Sequence, residues 1–257
     1  MTVKDIMRYL DKFGPKGPEE ILLFGDINQE VSGIAVCWMP TLEVMEKAAS
    51  EGCNLIICHE NLTFPYNFYI FGRHLETTLA WKANRERLAF LARKNMAVIR
   101  AHATLDRAYI ANRFYEAAGL GAADGAKRTG NIAAIGGISL EELALRLKEK
   151  LRLDRVRVTG NPDRIIKKAG VAPGGLGLSV NMSFLQGLVD EQVDCIITGE
   201  ADEESLRFAE DSGVCFLETS HIACESMGLA EFKEDLQNDF PDLRVRMIDA
   251  GVPWRYV

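Results

Sequence analysis

The chain contains four histidines, and three of them stand beside carboxylates. His59 is followed directly by Glu60. His102 precedes Asp106 by four residues, and His221 precedes Glu225 by four. On a helix, positions i and i+4 share a face, so both side chains of such a pair reach one point. Imidazole nitrogen together with carboxylate oxygen suits Zn, Mn or Fe better than Ca or Cu(I). A carboxylate has two oxygens and can bridge two ions, which an imidazole ordinarily does not. His59, Glu60, Asp106, His221 and Glu225 therefore make a candidate ligand set for two divalent ions with positions left open for water. Such a pair lowers the pKa of bound water and clamps a hydrolytic transition state. The plainer readings stand beside this one: His-x-x-x-acid pairs also occur on solvated helix faces, and His59 also reads as a satisfied strand-end residue.

Placing those residues requires strands that deliver them. Short β-rich runs alternate with helical patterns, which predicts an α/β architecture. The expected strands are Ile34–Trp38, Asn54–Cys58, Ala97–Ala101, Ile132–Ile135, Val156–Thr159, Cys195–Thr198, Val214–Leu217 and Val245–Ile248. The expected helices are Val3–Phe13, Leu42–Ser50, Leu75–Arg93, Arg107–Ala118, Leu140–Leu151, Val180–Val189, Glu203–Asp211 and Ile222–Asp239. His102 and His221 then fall where strands hand over to helices. His59 and Glu60 would point to opposite faces inside a strand, whereas a strand ending at Cys58 lets both turn into one cleft. Ser139 with Glu142 fits a helix-capping pair. Leu229, Phe232, Leu236 and Phe240 form an apolar stripe at helical spacing.

One long-range echo is present. The run Cys53–Glu60 resembles Asp194–Glu200, each an apolar strand that ends in polar residues. The echo suggests two similar lobes with strand ends facing one cleft, where ligands of open α/β sheets sit. The glycine-rich segment Gly119–Gly137 is the candidate boundary. The expected division is lobe 1 over about 1–125 plus the C-terminal segment, and lobe 2 over about 126–220.

Other groups carry less chemistry. Gly174-Gly175-Leu176-Gly177, after the strand-like Ala169–Ala172, could cradle a phosphate through backbone N–H groups, but it lacks the Lys-Ser/Thr of a P-loop, and a tight turn accounts for it. Arg73, Arg85, Arg87, Arg93 and Arg100 could meet a substrate phosphate or simply be solvated. The six cysteines form no Cys-x-x-Cys pair and read as small buried hydrophobes, with Cys58 a conceivable soft ligand beside His59. A net charge of -7 argues against a general nucleic-acid or anionic-membrane binder. The charged, amphipathic opening is not that of a signal peptide, and no run is long and apolar enough to cross a bilayer, so the expected compartment is the cytoplasm.

The ordered motifs resemble the NGG-interacting-factor-three-like family, the dinuclear-metal-centre proteins that carry a GTP cyclohydrolase type-two homologue label. Gly25–Gly33 resembles the family's Asp-Asn-x-Gly-Leu opening. His59-Glu60-Asn61-Leu62-Thr63-Phe64 resembles His-His-Pro-Leu-x-Phe. His102–Asp106 resembles His-Thr-x-x-Asp. Thr198-Gly199-Glu200 and Ser220–Glu225 resemble Thr-Gly-Glu and Gly-His-x-x-x-Glu. The resemblance implies two related α/β lobes with mixed sheets flanked by helices and a metal cleft between them. It also implies a homo-oligomer, a hexameric ring in that family. Residue by residue it makes His59, Asp106, His221 and Glu225 metal ligands and Glu60 a substituted ligand. His102 becomes a proton-transfer group near the site, with Glu200 nearby. Glu60 in place of the second His adds charge and hardness, which shifts preference toward Mn, Fe or Mg and away from Zn. Asn61 and Ser220 are further departures. The implied function is a metal-dependent hydrolase of a small nucleotide or phosphorylated substrate. The alternatives are a non-catalytic metal-binding or regulatory scaffold, and a scaffold that has lost its metal.

Overall fold

The computed structural model describes residues 1–65, 75–120, 131–249, 251–255 and 257. Its contacts divide the chain into two units. Unit 1 is Met1–Tyr109 with Leu229–Val257, and unit 2 is Ile110–Gly228. Each contains one five-stranded mixed sheet flanked by helices.

The unit 1 sheet uses β1 (Leu22–Phe24), β2 (Gly33–Cys37), β3 (Leu55–Cys58), β4 (Ala97–Arg100) and β10 (Arg244–Met247), in the order β1-β4-β3-β2-β10. All neighbours are parallel except β1 with β4. Every residue of β2, β3 and β4 is buried. That is why these strands read as unbroken apolar runs in the sequence, since a parallel sheet covered on both faces has no solvent side. Helices α1 (Val3–Leu10), α2 (Leu42–Ser50), α3 (Leu75–Leu79) and α4 (Lys82–Lys94) belong to this unit. The α2 and α4 residues Val44, Met45, Phe90 and Leu91 pack with Ile56 and Val98 in one core cluster.

The unit 2 sheet uses β5 (Ile132–Ser139), β6 (Arg157–Thr159), β7 (Ile165–Ala172), β8 (Cys195–Thr198) and β9 (Cys215–Glu218), in the order β5-β7-β8-β9-β6. The inner β7-β8-β9 pairs are parallel and both edges antiparallel. Its helices are α5 (Ala111–Ala118), α6 (Leu140–Lys150), α7 (Met182–Asp190) and α8 (Glu203–Asp211). Helix α9 (His221–Asp239) begins in this unit and ends in unit 1. In its second half Leu229, Phe232 and Leu236 of the expected stripe are fully buried, while Phe240 is partly exposed.

The sequence echo has a topological basis. In each unit a helix and an antiparallel edge strand precede three parallel strands joined by helical crossovers. The order β1-β4-β3-β2 matches β6-β9-β8-β7. Under that match β3 corresponds to β8, the two strands of the echo. Glu60 and Glu200 each lie two residues beyond them. β4 corresponds to β9, and beyond these stand His102 with Asp106 and His221 with Glu225. The fifth strands differ: β10 lies parallel beside β2, and β5 antiparallel beside β7.

Against the sequence expectations, α2, α8 and β8 have the expected bounds, and most strands shift by one residue. The expected Leu75–Arg93 helix is broken between Leu79 and Lys82. The expected Arg107–Ala118 helix starts earlier, as a turn over Ala103–Leu105 and a π-helical segment Asp106–Ile110 before α5. β1 and the first half of β7 were not expected. β1 is three residues long, and Lys167 and Lys168 interrupt the apolar run of β7. Ser139 caps α6 through its hydroxyl, which accepts from the Glu142 N–H at 3.1 Å. Residues 121–130, most of the expected glycine-rich boundary, lie outside the described residues, as do Arg73 and His74.

Candidate metal centre

In unit 1 the site is made by the turn that ends β3. The His59 N–H donates to the carbonyls of Cys37 and Trp38 at 3.1 Å, and the Glu60 N–H to Trp38 at 2.7 Å. The chain thereby leaves the ladder at Cys58, so His59 and Glu60 need not alternate faces. His59 is fully buried and Glu60 3% exposed. His59 Nδ1 lies 3.3 Å from the Ala101 carbonyl. That oxygen only accepts, which assigns the ring proton to Nδ1 and leaves Nε2 with a lone pair. Nε2 points toward Asp106, 3.5 Å from Oδ1. A carbonyl orienting a histidine through its other nitrogen is the usual support for a metal-ligating imidazole.

His102 stacks on His59, ring centroids 4.5 Å apart at 30°. Its Nδ1 is 3.8 Å from Asp106 Oδ2 and 3.5 Å from Glu19 Oε1. Ligand atoms of His59, Glu60 and His102 lie within 4.8 Å of one another, a group that could hold a metal ion. The Arg100 guanidinium is 3.7 Å from Glu60 Oε2, and its Nε donates to the His59 carbonyl at 3.0 Å.

The backbone around these donors is pinned by buried polar groups. Glu20 Oε1 accepts from the N–H groups of His102 at 2.8 Å and Thr104 at 2.9 Å, and Oε2 accepts from Gly17 at 2.5 Å. Asn84 of α4 bonds both the N–H and the carbonyl of Phe64, and Arg87 donates to the Leu62 carbonyl at 2.8 Å. The loop after Glu60 is therefore clamped at two points. Asp106 opens the π-helical segment, a backbone irregularity often found at functional sites.

In unit 2 His221 sits between two carboxylates. Its Nδ1 is 2.8 Å from Glu200 Oε2 and its Nε2 is 3.1 Å from Glu225 Oε1. A neutral imidazole donates through one nitrogen only. With Nδ1–H on Glu200, Nε2 presents a lone pair toward Glu225, an arrangement that a cation between the two satisfies. The His221 hydrogen bond holds the Glu200 carboxyl below the usual range, against the opposing effect of burial. Glu225 is buried and Glu200 about half exposed. The strand ends beneath are stitched together, the Thr219 hydroxyl donating to the Thr198 carbonyl at 2.7 Å and the Thr198 hydroxyl to Ala172 at 2.7 Å.

The glycine loop after β7 forms the wall of this pair. It is a 3-10 turn, Gly174–Gly177. A Cβ on Gly174 would stand 2.0 Å from Glu225 Oε1, and one on Gly177 would stand 2.3 Å from the Thr198 hydroxyl. Close approach to the donors and the strand end explains these glycines without a phosphate.

The donors in both units are nitrogen and oxygen only, a set that fits Zn, Mn or Fe. Cys58, the conceivable soft ligand, is instead buried in the unit 1 core with its thiol pushed up to about 12 by burial. Arg87 and Arg100 are used internally, whereas Arg85 and Arg93 line a surface groove of about 520 Å³ together with Glu46 and Glu86. Sequence reading did not single out Glu19, Glu20 or Asn84. Glu20 meets His102 across 82 positions, and no local spacing signals such a contact.

Comparison with known proteins agrees with this architecture. A family profile described as Duf34/NIF3 (NGG1p interacting factor 3) matches residues 1–251. A Neisseria meningitidis serogroup B protein named "GTP cyclohydrolase 1 type 2 homolog" is 28% identical over 213 residues, 80% of this chain and 79% of its own. A crystal structure of a Staphylococcus aureus protein superposes with a TM-score of 0.77 at 18% identity, covering 100% of this chain and 99% of the other. A Bacillus cereus protein related to NIF3 superposes with a TM-score of 0.77 at 15% identity, with the same coverage. At those identities the structural matches speak for the fold. No helix among the described residues is long and apolar enough to cross a membrane.

Proposed function

The chain belongs to the Duf34/NIF3 (NGG1p interacting factor 3) family, and from that premise we propose that it is a metal-dependent hydrolase with a two-ion site. In this reading His59, Glu60, Asp106, His221 and Glu225 hold the ions, and the substrate is a small nucleotide or other phosphorylated compound. The observation that carries it is the buried His59, turned by the Ala101 carbonyl so that Nε2 faces Asp106 within a cluster of nitrogen and oxygen donors. The Glu200–His221–Glu225 group in unit 2 repeats that chemistry with a carboxylate as the orienting partner.

When bound, divalent ions supply Lewis acidity and acidify water. The chain's own groups do the rest. Ala101 and Glu200 orient the two ligating imidazoles. Glu20 fixes the backbone that carries His102 and Asp106. His102, between Glu19 and Asp106, accepts a proton at Nδ1 and passes it to a neighbouring carboxylate. The name of the Neisseria relative is compatible with hydrolytic chemistry on a nucleotide. The reading includes assembly as a homo-oligomer, a hexameric ring, in the cytoplasm.

A panel of nucleotides and phosphoesters, assayed with and without Mn, tests the catalytic part. Metal-dependent turnover that disappears in Asp106→Ala supports it. A protein that retains bound metal yet turns over nothing on the panel favours the second reading, a non-catalytic metal carrier or scaffold. The Arg100–Glu60 contact favours that second reading on its own account, because it gives the cluster a means of staying folded when empty.

A further inference from the structure

We propose that Arg100 is a resident counter-cation that balances Glu60 when the unit 1 cluster is empty and competes with metal for that carboxylate. The inference rests on the metal reading of the site and assigns it a means of tolerating metal loss.

Arg100 is the last residue of β4 and only 4% exposed, and Glu60 is 3% exposed. Their charged groups approach to 3.7 Å. Arg100 Nε is held by the His59 carbonyl at 3.0 Å, so the guanidinium is anchored to the same turn that presents Glu60. Buried charges persist only when compensated. At 3.7 Å the contact is longer than the paired bonds of an Arg–carboxylate fork. It balances charge without locking the carboxylate in one geometry.

A guanidinium cannot give up its proton. A divalent ion drawn to Glu60 therefore meets a fixed positive charge at close range. Removing that charge has opposite consequences in the two states. The empty protein loses a partner of a buried carboxylate and melts lower. The loaded protein loses a competitor, and metal binds more tightly. A residue that merely shaped the turn would weaken both when removed, so the opposite signs identify the counter-cation role.

The test measures Mn binding by calorimetry, and melting with and without Mn, for the wild type, Arg100→Met, Arg100→Lys, Glu60→Gln and the double variant. Arg100→Met is expected to melt below the wild type without Mn, to gain more from added Mn, and to bind Mn about tenfold more tightly, a change equivalent to about 1.4 kcal/mol. Arg100→Lys keeps the charge and binds like the wild type. In the Glu60→Gln background, Arg100→Met leaves Mn affinity unchanged. Should Arg100→Met fail to fold, Mn supplied during expression recovers it under the proposal, and no recovery overturns it. Weaker Mn binding by Arg100→Met than by the wild type overturns the proposal while leaving the metal reading intact. A wild type that binds no divalent ion overturns both.

Discussion

Gly174 is the position where a single methyl group should do most damage to the unit 2 donors. Its φ is +59°, and an added Cβ would lie 2.0 Å from Glu225 Oε1. Gly213 supplies the control, with φ +69° and nothing within 4 Å of an added Cβ. An alanine in the left-handed region costs about 1 kcal/mol, which is the whole expected effect of Gly213→Ala. Gly174→Ala carries that cost and must also move Glu225 off His221 Nε2, now 3.1 Å away. Forcing an extra methyl group into this packed site adds about 1–3 kcal/mol, for a total of about 2–4 kcal/mol. Urea denaturation followed by circular dichroism compares the two variants. Gly174→Ala should be the less stable by about 1 kcal/mol or more, and only it should lose metal affinity. Equal destabilisation of the two would refute the steric argument and the role of the loop as a wall behind Glu225.

Glu20→Ala leaves the buried N–H groups of His102 and Thr104 without their acceptor, so calorimetry should report about 3 kcal/mol of destabilisation; a loss under about 1 kcal/mol would deny the clamp. Asp239 is held below its ordinary value of 3.8 by hydrogen bonds from Lys12 and Tyr9. Its contribution to stability is therefore present above pH 3.8 and fades as pH falls through the lowered value. Acid titration of the urea midpoint should show this component, and Asp239→Asn should remove it. All six cysteines are buried, with Cys58 and Cys224 raised to about 12. Ellman's reagent should find no reactive thiol in native protein at pH 8 and six after denaturation; prompt native labelling of Cys58 would place it outside the core.

The parts of this fold that local patterning dictates could be read from the sequence. The central strands announce themselves as short apolar runs because they are buried on both faces, and α2 and α8 carry Thr41 and Asp202 as side-chain caps. The strand-end histidines were legible for the same reason, since an apolar run that stops at Cys58 or Leu217 marks where the following polar residues emerge. The echo of Cys53–Glu60 in Asp194–Glu200 reflects two strands at matching places in two similar sheets. What spacing could not show are groups brought in from far along the chain: Glu20 at His102 and Arg100 at Glu60. Gly174–Gly177 looked like a turn or a phosphate cradle because glycine marks close backbone approach without saying what approaches. Here the neighbours are Glu225 and Thr198.

The most direct test of the metal centre is anomalous scattering from crystals of Mn-loaded protein, collected on both sides of the Mn absorption edge. Two peaks per chain are expected, coordinated by His59, Glu60 and Asp106 and by His221 and Glu225. Crystals grown in excess Mn that show no peak at His59 or His221, or peaks only on surface carboxylates, would contradict that expectation.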